Sequence, residues 1–296
     1  MNPNKLKVAH WNTTLTPPVL IGPSQDNTDR QSDVKSVLNY LVDYYDLVLL
    51  SETHLRDEKF IREALKGKNH KIQSLFFHVK DRSGNPKKSW YDFTAIYNKK
   101  ITSISQKEVT YRFRGTYYKV ALELTITLTR SPQKLLIYLT HWPSKLRKAP
   151  VDSIAHRLSE RMIDKEDDGY ATLAIGDFNL YPYEEIMINN LRSTFCKDYV
   201  LSDGSDYFYN PFWEKMLLGK ATYFPKKKIT HEPHMKYILD QAVFGRRIML
   251  GEEWKLDESS IRVMEGQFPH KNKILDHCPI GFEITFSHYD TTTAAP

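Results

Sequence analysis

Short apolar runs that alternate with helical segments constrain the fold of this chain more than any other feature of its sequence. Runs such as LLIYL and TLAIG are continuous, as in strands covered on both faces, whereas LELTITL alternates like a half-buried antiparallel strand. The runs predict strands at 7–12, 46–52, 92–98, 120–128, 134–142, 171–178, 238–244 and 280–286. Helical patterns predict helices at 29–45, 58–67, 149–166 and 183–192. Strands and helices alternate from end to end, which favours two sheets packed face to face with helices outside.

The composition is that of a globular protein with a small excess of positive charge. The 296 residues are 41% hydrophobic, and 42 lysines and arginines against 36 aspartates and glutamates give a net charge of +6. This excess suits a polyanionic partner such as nucleic acid or an anionic lipid surface. The two cysteines, Cys196 and Cys278, form no CxxC pair, so we expect reduced thiols rather than a disulfide framework or a thiolate zinc site.

No segment of the sequence predicts export or membrane insertion. The N-terminal MNPNKLKVAH lacks the apolar core of a secretory signal, and runs such as LVLL fall far short of the roughly 20 residues that span a bilayer. We therefore expect an intracellular, cytoplasmic protein without a transmembrane segment. We also expect one catalytic domain over residues 1–290 and a disordered tail over 291–296. No pattern indicates the oligomeric state.

Residues able to do acid, base or metal chemistry end many of the predicted strands. A single Asp or Asn after a strand is usually a cap or a turn. Here several separate strands end in an acid, an amide or an imidazole, and the ends of neighbouring strands meet at one edge of a sheet. We therefore predict one site at this rim, formed by Asn12, Glu52, His141, Asp177, Asn179, Asp240, Asp276 and His277.

The residue types at this rim favour metal-assisted hydrolysis. Carboxylate and amide oxygens without cysteine suit a hard cation, and we predict Mg²⁺, with Mn²⁺ as the alternative. Two histidines beside such an ion can transfer protons near neutral pH. The sequence contains neither a GxSxG nucleophile motif nor a GxxxxGK[ST] phosphate loop. The remaining chemistry is attack of water on a phosphate ester.

The ordered motifs WN, SETH, THWPS, GDFN, LDQ and LDHCP resemble those of the endonuclease/exonuclease/phosphatase superfamily. Its members include pancreatic-type deoxyribonucleases, abasic-site endonucleases, inositol polyphosphate 5-phosphatases and neutral sphingomyelinases. The motifs run from residue 11 to about residue 280, and GDFN with a preceding HWP and a following DHCP is the specific part. The resemblance implies a four-layered α/β/β/α sandwich of two mixed sheets flanked by helices.

The resemblance also implies the catalytic residues. Asp177 and Asn179 would orient the attacking water and the scissile phosphate. His277 would contact the phosphate and transfer protons, oriented by Asp240 from another strand. His141 would help to protonate the leaving oxygen or bind the phosphate, as in deoxyribonuclease-like and phosphatase-like members, whereas abasic-site endonucleases have asparagine here.

The metal and substrate contacts are implied in the same way. Asn12, Glu52 and Asp276 would hold the metal ion. Asp92 is a candidate carboxylate partner for His141, and its alternative is a strand residue that faces solvent. Candidate phosphate contacts are Arg114, for which Arg112 competes, together with Ser144 and Lys145 of the segment SKLRK, which is either a backbone contact or a solvated loop.

One further segment has two interpretations. Residues 207–228 interleave aromatic and basic residues, a pattern that can stack the bases of a single strand. We favour the other interpretation, in which the segment forms an inserted subdomain with a core of Phe208, Phe212, Trp213, Leu217 and Leu218.

The motifs and the charge together favour a nuclease that hydrolyses DNA or RNA phosphodiester bonds with an activated water. The alternative keeps the site and changes the substrate to a phosphoinositide, a phospholipid or another small phosphate ester. A binding protein without catalytic activity is a remote third possibility, because every acid and both histidines of the motifs are intact.

Overall fold

The computed structural model describes residues 4–16, 27–80, 83, 86–129, 131, 133–144, 149–225, 237–265 and 275–286. The strands are β1 (Lys5–Asn12), β2 (Leu47–Ser51), β3 (Lys71–Lys80), β4 (Pro86–Tyr97), β5 (Ile101–Phe113), β6 (Thr116–Leu128), β7 (Lys134–His141), β8 (Ala171–Asp177), β9 (Ser193–Thr194), β10 (Phe208–Tyr209), β11 (Asp240–Phe244), β12 (Trp254–Val263) and β13 (Ile280–Phe286). The helices are α1 (Asn27–Tyr44), α2 (Leu55–Ala64), α3 (Val151–Asp167), α4 (Lys197–Leu201), α5 (Phe212–Leu217) and α6 (Arg246–Leu250).

The strands form two mixed sheets. The first has the order β12-β13-β1-β2-β4-β3 and the second the order β5-β6-β7-β8-β11-β10-β9. In the first sheet β1 is parallel to β2 and antiparallel to β13. In the second, β8 is parallel to β7 and antiparallel to β11.

The apolar clusters give four layers. Along β1, Leu6 and Val8 pack against residues of the second sheet, whereas Ala9 and Trp11 pack under α1. This period of two explains why the run is apolar on both faces. On the far side, α3 covers the outer face of the second sheet, where residues such as Tyr138 are buried. The predicted α/β/β/α sandwich of two mixed sheets is confirmed.

The differences from the predicted elements have local causes. α2 begins at Leu55 rather than 58, because His54 and Asp57 form a reciprocal capping box. The segment predicted as a helix at 183–192 contains only one π-helical turn, Ile186–Asn190, since a segment this short is marginal without a longer buried face. Strands β3, β5 and β12 were not predicted. Each is an edge strand, and edge strands have more exposed polar side chains.

The predicted core of an inserted subdomain is only partly correct. Phe208 and Phe212 are fully buried, but Leu217 and Leu218 are exposed by 80% and 63%. The reason is that α5 ends at Leu217 and turns only the side of Phe212 toward the sheet. Residues 226–228 of the same segment and the tail at 291–296 lie outside the described residues.

The two cysteines and the described helices bear on the remaining predictions from the sequence. Cys196 is exposed and Cys278 is buried, and no disulfide joins them. Among the helices that the structure describes, none has the length and apolar character needed to cross a membrane.

Candidate active site

Strand ends from both sheets meet at one rim of the sandwich. In the first sheet, β1 ends at Asn12, paired with Ser51 at the end of β2. In the second, His141 at the end of β7 is paired with Asp177, and Asp177 is paired with Asp240 at the start of β11. The amide Nδ2 of Asn12 donates to Asp177 Oδ2 at 3.2 Å, so this hydrogen bond joins the two sheets.

His277 is held at the rim by a buried carboxylate. Its Nδ1 is 2.7 Å from Asp240 Oδ2, and its Nε2 is 4.0 Å from Asp177 Oδ2. Trp11 Nε1 donates to the backbone carbonyl of His277 at 3.0 Å. Burial lowers the pKa of His277, but the negative charge and the hydrogen bond of Asp240 outweigh it and raise the pKa to about 10. The protonated form of His277 is therefore favoured, with Nε2 4.0 Å from Asp177 Oδ2.

His141 lies against a second carboxylate, on β4. Its Nδ1 is 3.1 and 3.0 Å from the two oxygens of Asp92, and its Nε2 is 3.6 Å from Glu52 Oε1. Lys119 of β6 forms an ion pair with Asp92 as well. Burial lowers the pKa of His141, but the charge of Asp92 outweighs it and the pKa is raised. Burial raises the pKa of Asp92, yet Lys119 and His141 hold it far below its usual range.

Asp177 and Asn179 form a short hydrogen-bonded turn after β8. Asn179 has a left-handed backbone with φ 53°, which brings its N–H to Asp177 Oδ1 at 2.8 Å. The side-chain Nδ2 of Asn179 donates to the carbonyl of Trp142 at 2.9 Å. Burial, followed by the charge of Asp240, raises the pKa of Asp177. A carboxylate with a raised pKa can accept a proton more readily than an ordinary aspartate.

Glu52 is a buried acid with one oxygen that no described residue contacts by a hydrogen bond. It has φ 56°, is 8% exposed, and its Oε2 has no hydrogen-bond partner among the described residues. Burial raises the pKa of Glu52. A buried carboxylate oxygen without a donor is costly, and a bound cation is one way to remove that cost.

The oxygen-rich composition of the rim suits a divalent cation. Near Glu52, Thr14 donates its backbone N–H to Asn12 Oδ1 at 3.1 Å and its hydroxyl to Asp276 Oδ1 at 3.0 Å. A second group, Asp177, Asp240 and His277, has ligand atoms within 4.8 Å of one another. The Glu52 oxygen without a described hydrogen-bond donor and the oxygen atoms near it fit a hard metal ion, whereas a proton on His277 leaves only two carboxylates in the second group.

Solved structures with the same architecture match this chain over nearly its whole length. An endonuclease/exonuclease/phosphatase family protein from Bacteroides thetaiotaomicron matches with a TM-score of 0.63 at 14% identity, over 96% of this chain and 97% of the other. The chain has the endonuclease/exonuclease/phosphatase fold. The resemblance that the motifs indicate is therefore confirmed at the level of the fold.

Two further proteins share this endonuclease/exonuclease/phosphatase fold. A conserved protein of unknown function from Enterococcus faecalis V583 matches with a TM-score of 0.62 at 15% identity, over 95% of this chain and all of the other. TDP2 from D. rerio, in complex with a single-strand DNA product, matches with a TM-score of 0.56 at 16% identity, over 95% and 99%. No family model and no curated protein matches the chain.

The predicted substrate contacts lie on the β5–β6 hairpin and in the segment after His141. Arg114 is exposed in the turn between β5 and β6, with its guanidinium 5.1 Å from the centre of the Phe113 ring. Arg112, the competing residue, lies over the Tyr117 ring. Ser144 is partly exposed in the segment after His141, and Lys145 lies outside the described residues. Both contacts lie on the β5–β6 hairpin, and phosphate binding by Arg114 or by Arg112 stays a prediction.

Sequence reasoning missed three residues that support the rim. Lys119 contacts Asp92, Thr14 contacts Asp276, and His10 lies beside Asp240. Only His10 has a signal in the sequence. It stands two residues before Asn12 in the same strand, and the period of two places both side chains on the same face.

The raised pKa of His277 predicts that stability falls as the pH rises. The ordinary pKa is 6.5 and the folded value is about 10, so the folded protein retains a proton that the unfolded chain releases between these values. The stabilisation is complete below pH 6.5 and is lost as the pH rises through about 10. Urea denaturation of metal-free protein at both ends of this window measures the loss.

The variant His277→Gln isolates this contribution. Its free energy of unfolding is expected to fall less between the two pH values than that of the wild type, because it has no titrating imidazole at this position. An equal fall in both proteins would show that His277 does not hold an extra proton in the folded state.

Proposed function

We propose that this protein is a divalent-metal-dependent phosphodiesterase that cleaves DNA or RNA by attack of an activated water. The observation that supports this most is the pair of histidines at one rim, each beside its own buried carboxylate. Between them lie Asp177, Glu52 and Asn12, so acids, bases and potential metal ligands face one small region. Acid and base groups placed this way suit hydrolysis of a phosphate ester.

Activation of the attacking water and assistance of the departing oxygen would use different side chains. Asp177 would orient the attacking water and accept its proton, since its pKa is raised and its Oδ2 faces the site. Asn179 would orient the phosphate. His277, favoured in its protonated form, would hold a phosphate oxygen and share its proton with that oxygen as negative charge develops there. His141 would assist the departing oxygen through Nε2, because Nδ1 is occupied by Asp92.

A metal ion would be held by Glu52, Asn12 and Asp276, as the motifs imply. The buried Glu52 Oε2 without a described hydrogen-bond donor supports this choice. We propose Mg²⁺, with Mn²⁺ as an alternative, because the donors are oxygens. The bound ion would neutralise negative charge that develops on the phosphate.

Nucleic acid is the proposed substrate because the chain has a net charge of +6, which attracts a polyanion. The similarity in fold to D. rerio TDP2, whose structure contains a single-strand DNA product, is compatible with this choice. Smaller phosphate esters differ from nucleic acid in needing few charge contacts outside the rim. Activity on DNA or RNA should therefore fall steeply with added salt, whereas activity on a small ester should not.

A substrate panel tests the proposal. Purified protein is incubated with supercoiled plasmid, short RNA, inositol phosphates and sphingomyelin, each with Mg²⁺ or with a chelator. We expect nicking or RNA cleavage that the chelator abolishes. Intact nucleic acid together with hydrolysis of a small ester would overturn the choice of substrate, and no hydrolysis of any phosphate ester would overturn the enzymatic function.

A further inference from the structure

His10 occupies a fully buried position directly behind the carboxylate that contacts His277. It lies on β1, is 0% exposed, and shares the strand face of Asn12. Its Nε2 is 2.8 Å from Ser51 Oγ, at the end of the neighbouring strand β2. Its Nδ1 is 3.5 Å from Asp240 Oδ1 in the facing sheet. His10 therefore bridges the two sheets under the rim.

His10 and Asp240 each have a buried polar atom without a hydrogen-bond partner among the described residues. Asp240 uses Oδ2 for His277, and its Oδ1 is buried without a hydrogen-bond partner among the described residues. His10 Nδ1 is also buried without a hydrogen-bond partner among the described residues. It is the nitrogen that lies 3.5 Å from Asp240 Oδ1. Buried carboxylate oxygens nearly always have a donor, and a small side-chain rotation would bring these two atoms within hydrogen-bond distance.

Ser51 is compatible with the tautomer of His10 in which Nδ1 donates. Its hydroxyl can donate to His10 Nε2, and the ring proton of a neutral imidazole then lies on Nδ1. In this arrangement the N–H of His10 is on the nitrogen that lies 3.5 Å from Asp240 Oδ1. The order Ser51, His10, Asp240 and His277 thus forms one continuous buried row of hydrogen-bonding groups.

We propose that His10 is a positioning residue, which fixes the orientation of the Asp240 carboxylate and through it the imidazole of His277. The proposal rests on the proposed hydrolytic function of the rim. His10 is fully buried and is not among the residues proposed to hold the metal or the phosphate. Its loss should therefore lower kcat, by loosening His277, and leave KM nearly unchanged. Residues that orient a functional side chain in this indirect way typically cost about 10- to 100-fold when they are lost.

Three replacements of His10 distinguish a role in positioning Asp240 from a role in filling space in the core. In His10→Asn the side-chain amide replaces Nδ1 and can still donate toward Asp240. In His10→Gln the longer amide lies nearer the position of Nε2 and can reach Ser51 but not Asp240. His10→Phe retains the shape of the ring and provides no donor. A purely structural role would favour Gln over Asn, since Gln retains more of the volume and the bond to Ser51.

The experiment measures kcat, KM and the thermal midpoint of the wild type and the three variants. We expect kcat to fall about 10-fold in His10→Gln and His10→Phe and to remain within about 3-fold of the wild type in His10→Asn. An activity of His10→Gln equal to or above that of His10→Asn would overturn the proposal. If no His10 variant folds, Ser51→Ala decides. Its kcat should fall, whereas Ser159→Ala, which removes an equally buried hydroxyl on α3, should keep wild-type kcat.

A structural readout keeps this test separate from the proposed function. Crystal structures of the metal-free variants report the distance from His277 Nδ1 to Asp240 Oδ2, which is 2.7 Å here. The distance should persist in His10→Asn and should lengthen in His10→Phe. An unchanged carboxylate in His10→Phe would refute positioning even in an active enzyme. A wild type without any hydrolytic activity would refute the proposed function and leave this measurement valid.

Discussion

Replacing His277 with glutamine should lower kcat for phosphodiester hydrolysis about 10³-fold and leave the fold intact. The negative charge and the hydrogen bond of Asp240 favour the charged form of His277 and raise its pKa to about 10. Glutamine can occupy the space and donate a hydrogen bond, but it can neither carry the charge nor transfer a proton. The loss should appear mainly in kcat, since a proton transfer contributes to the transition state more than to substrate binding.

A second histidine provides a matched control for this variant. His78 on β3 also pairs with a carboxylate, with Nδ1 2.6 Å from Glu108 Oε1, but this pair is on the edge strands and outside the rim. His78→Gln should therefore keep wild-type turnover. Steady-state kinetics and a thermal melt on both variants check the prediction. Near-wild-type kcat in His277→Gln would contradict the role of His277, and an equal loss in His78→Gln would point to a general defect.

The fold could be predicted from the central strands and not from the edges. Strands β1 and β8 lie inside their sheets. β8 is buried along its whole length and β1 from Val8 to Asn12, so each contains a short run of buried residues that the sequence pattern detects. Strands β3, β5 and β12 each have one neighbour among the described strands, and their polar side chains hide the strand pattern. Periodicity therefore predicts the layers of the sandwich, whereas the number of strands depends on pairings that only the folded structure shows.

In the candidate site, the sequence predicts the contacts within one sheet but not the contacts between the two sheets. Chain order and strand ends predict that Asp177 and His141 share a rim, because residues at the ends of neighbouring strands must lie side by side. The contacts of Lys119 with Asp92 and of His10 with Asp240 join strands of different sheets. The register between two facing sheets depends on side-chain packing over the whole core, and no local sequence pattern encodes it.

Replacing Gly176 with alanine should destabilise the protein by about 3 kcal/mol or more. Gly176 precedes Asp177 in β8 and pairs with Thr140 of β7. Its φ is 149°, and a Cβ at this position would lie 2.0 Å from the backbone oxygen of Thr140. Because the obstacle is backbone, relief requires β7 and β8 to separate at the point where they position His141 and Asp177. Activity should therefore fall along with stability.

Gly204→Ala is the control that separates this clash from backbone strain alone. Gly204 also has a positive φ, 72°, but no atom lies within 4 Å of a Cβ built there. Its replacement should cost only about 1 kcal/mol, the price of a left-handed alanine, and should keep kcat. Urea denaturation and steady-state assays of both variants give the comparison. If the two variants lose equal stability, the close approach of β8 to Thr140 does not require glycine, and the conformation alone explains its presence before Asp177.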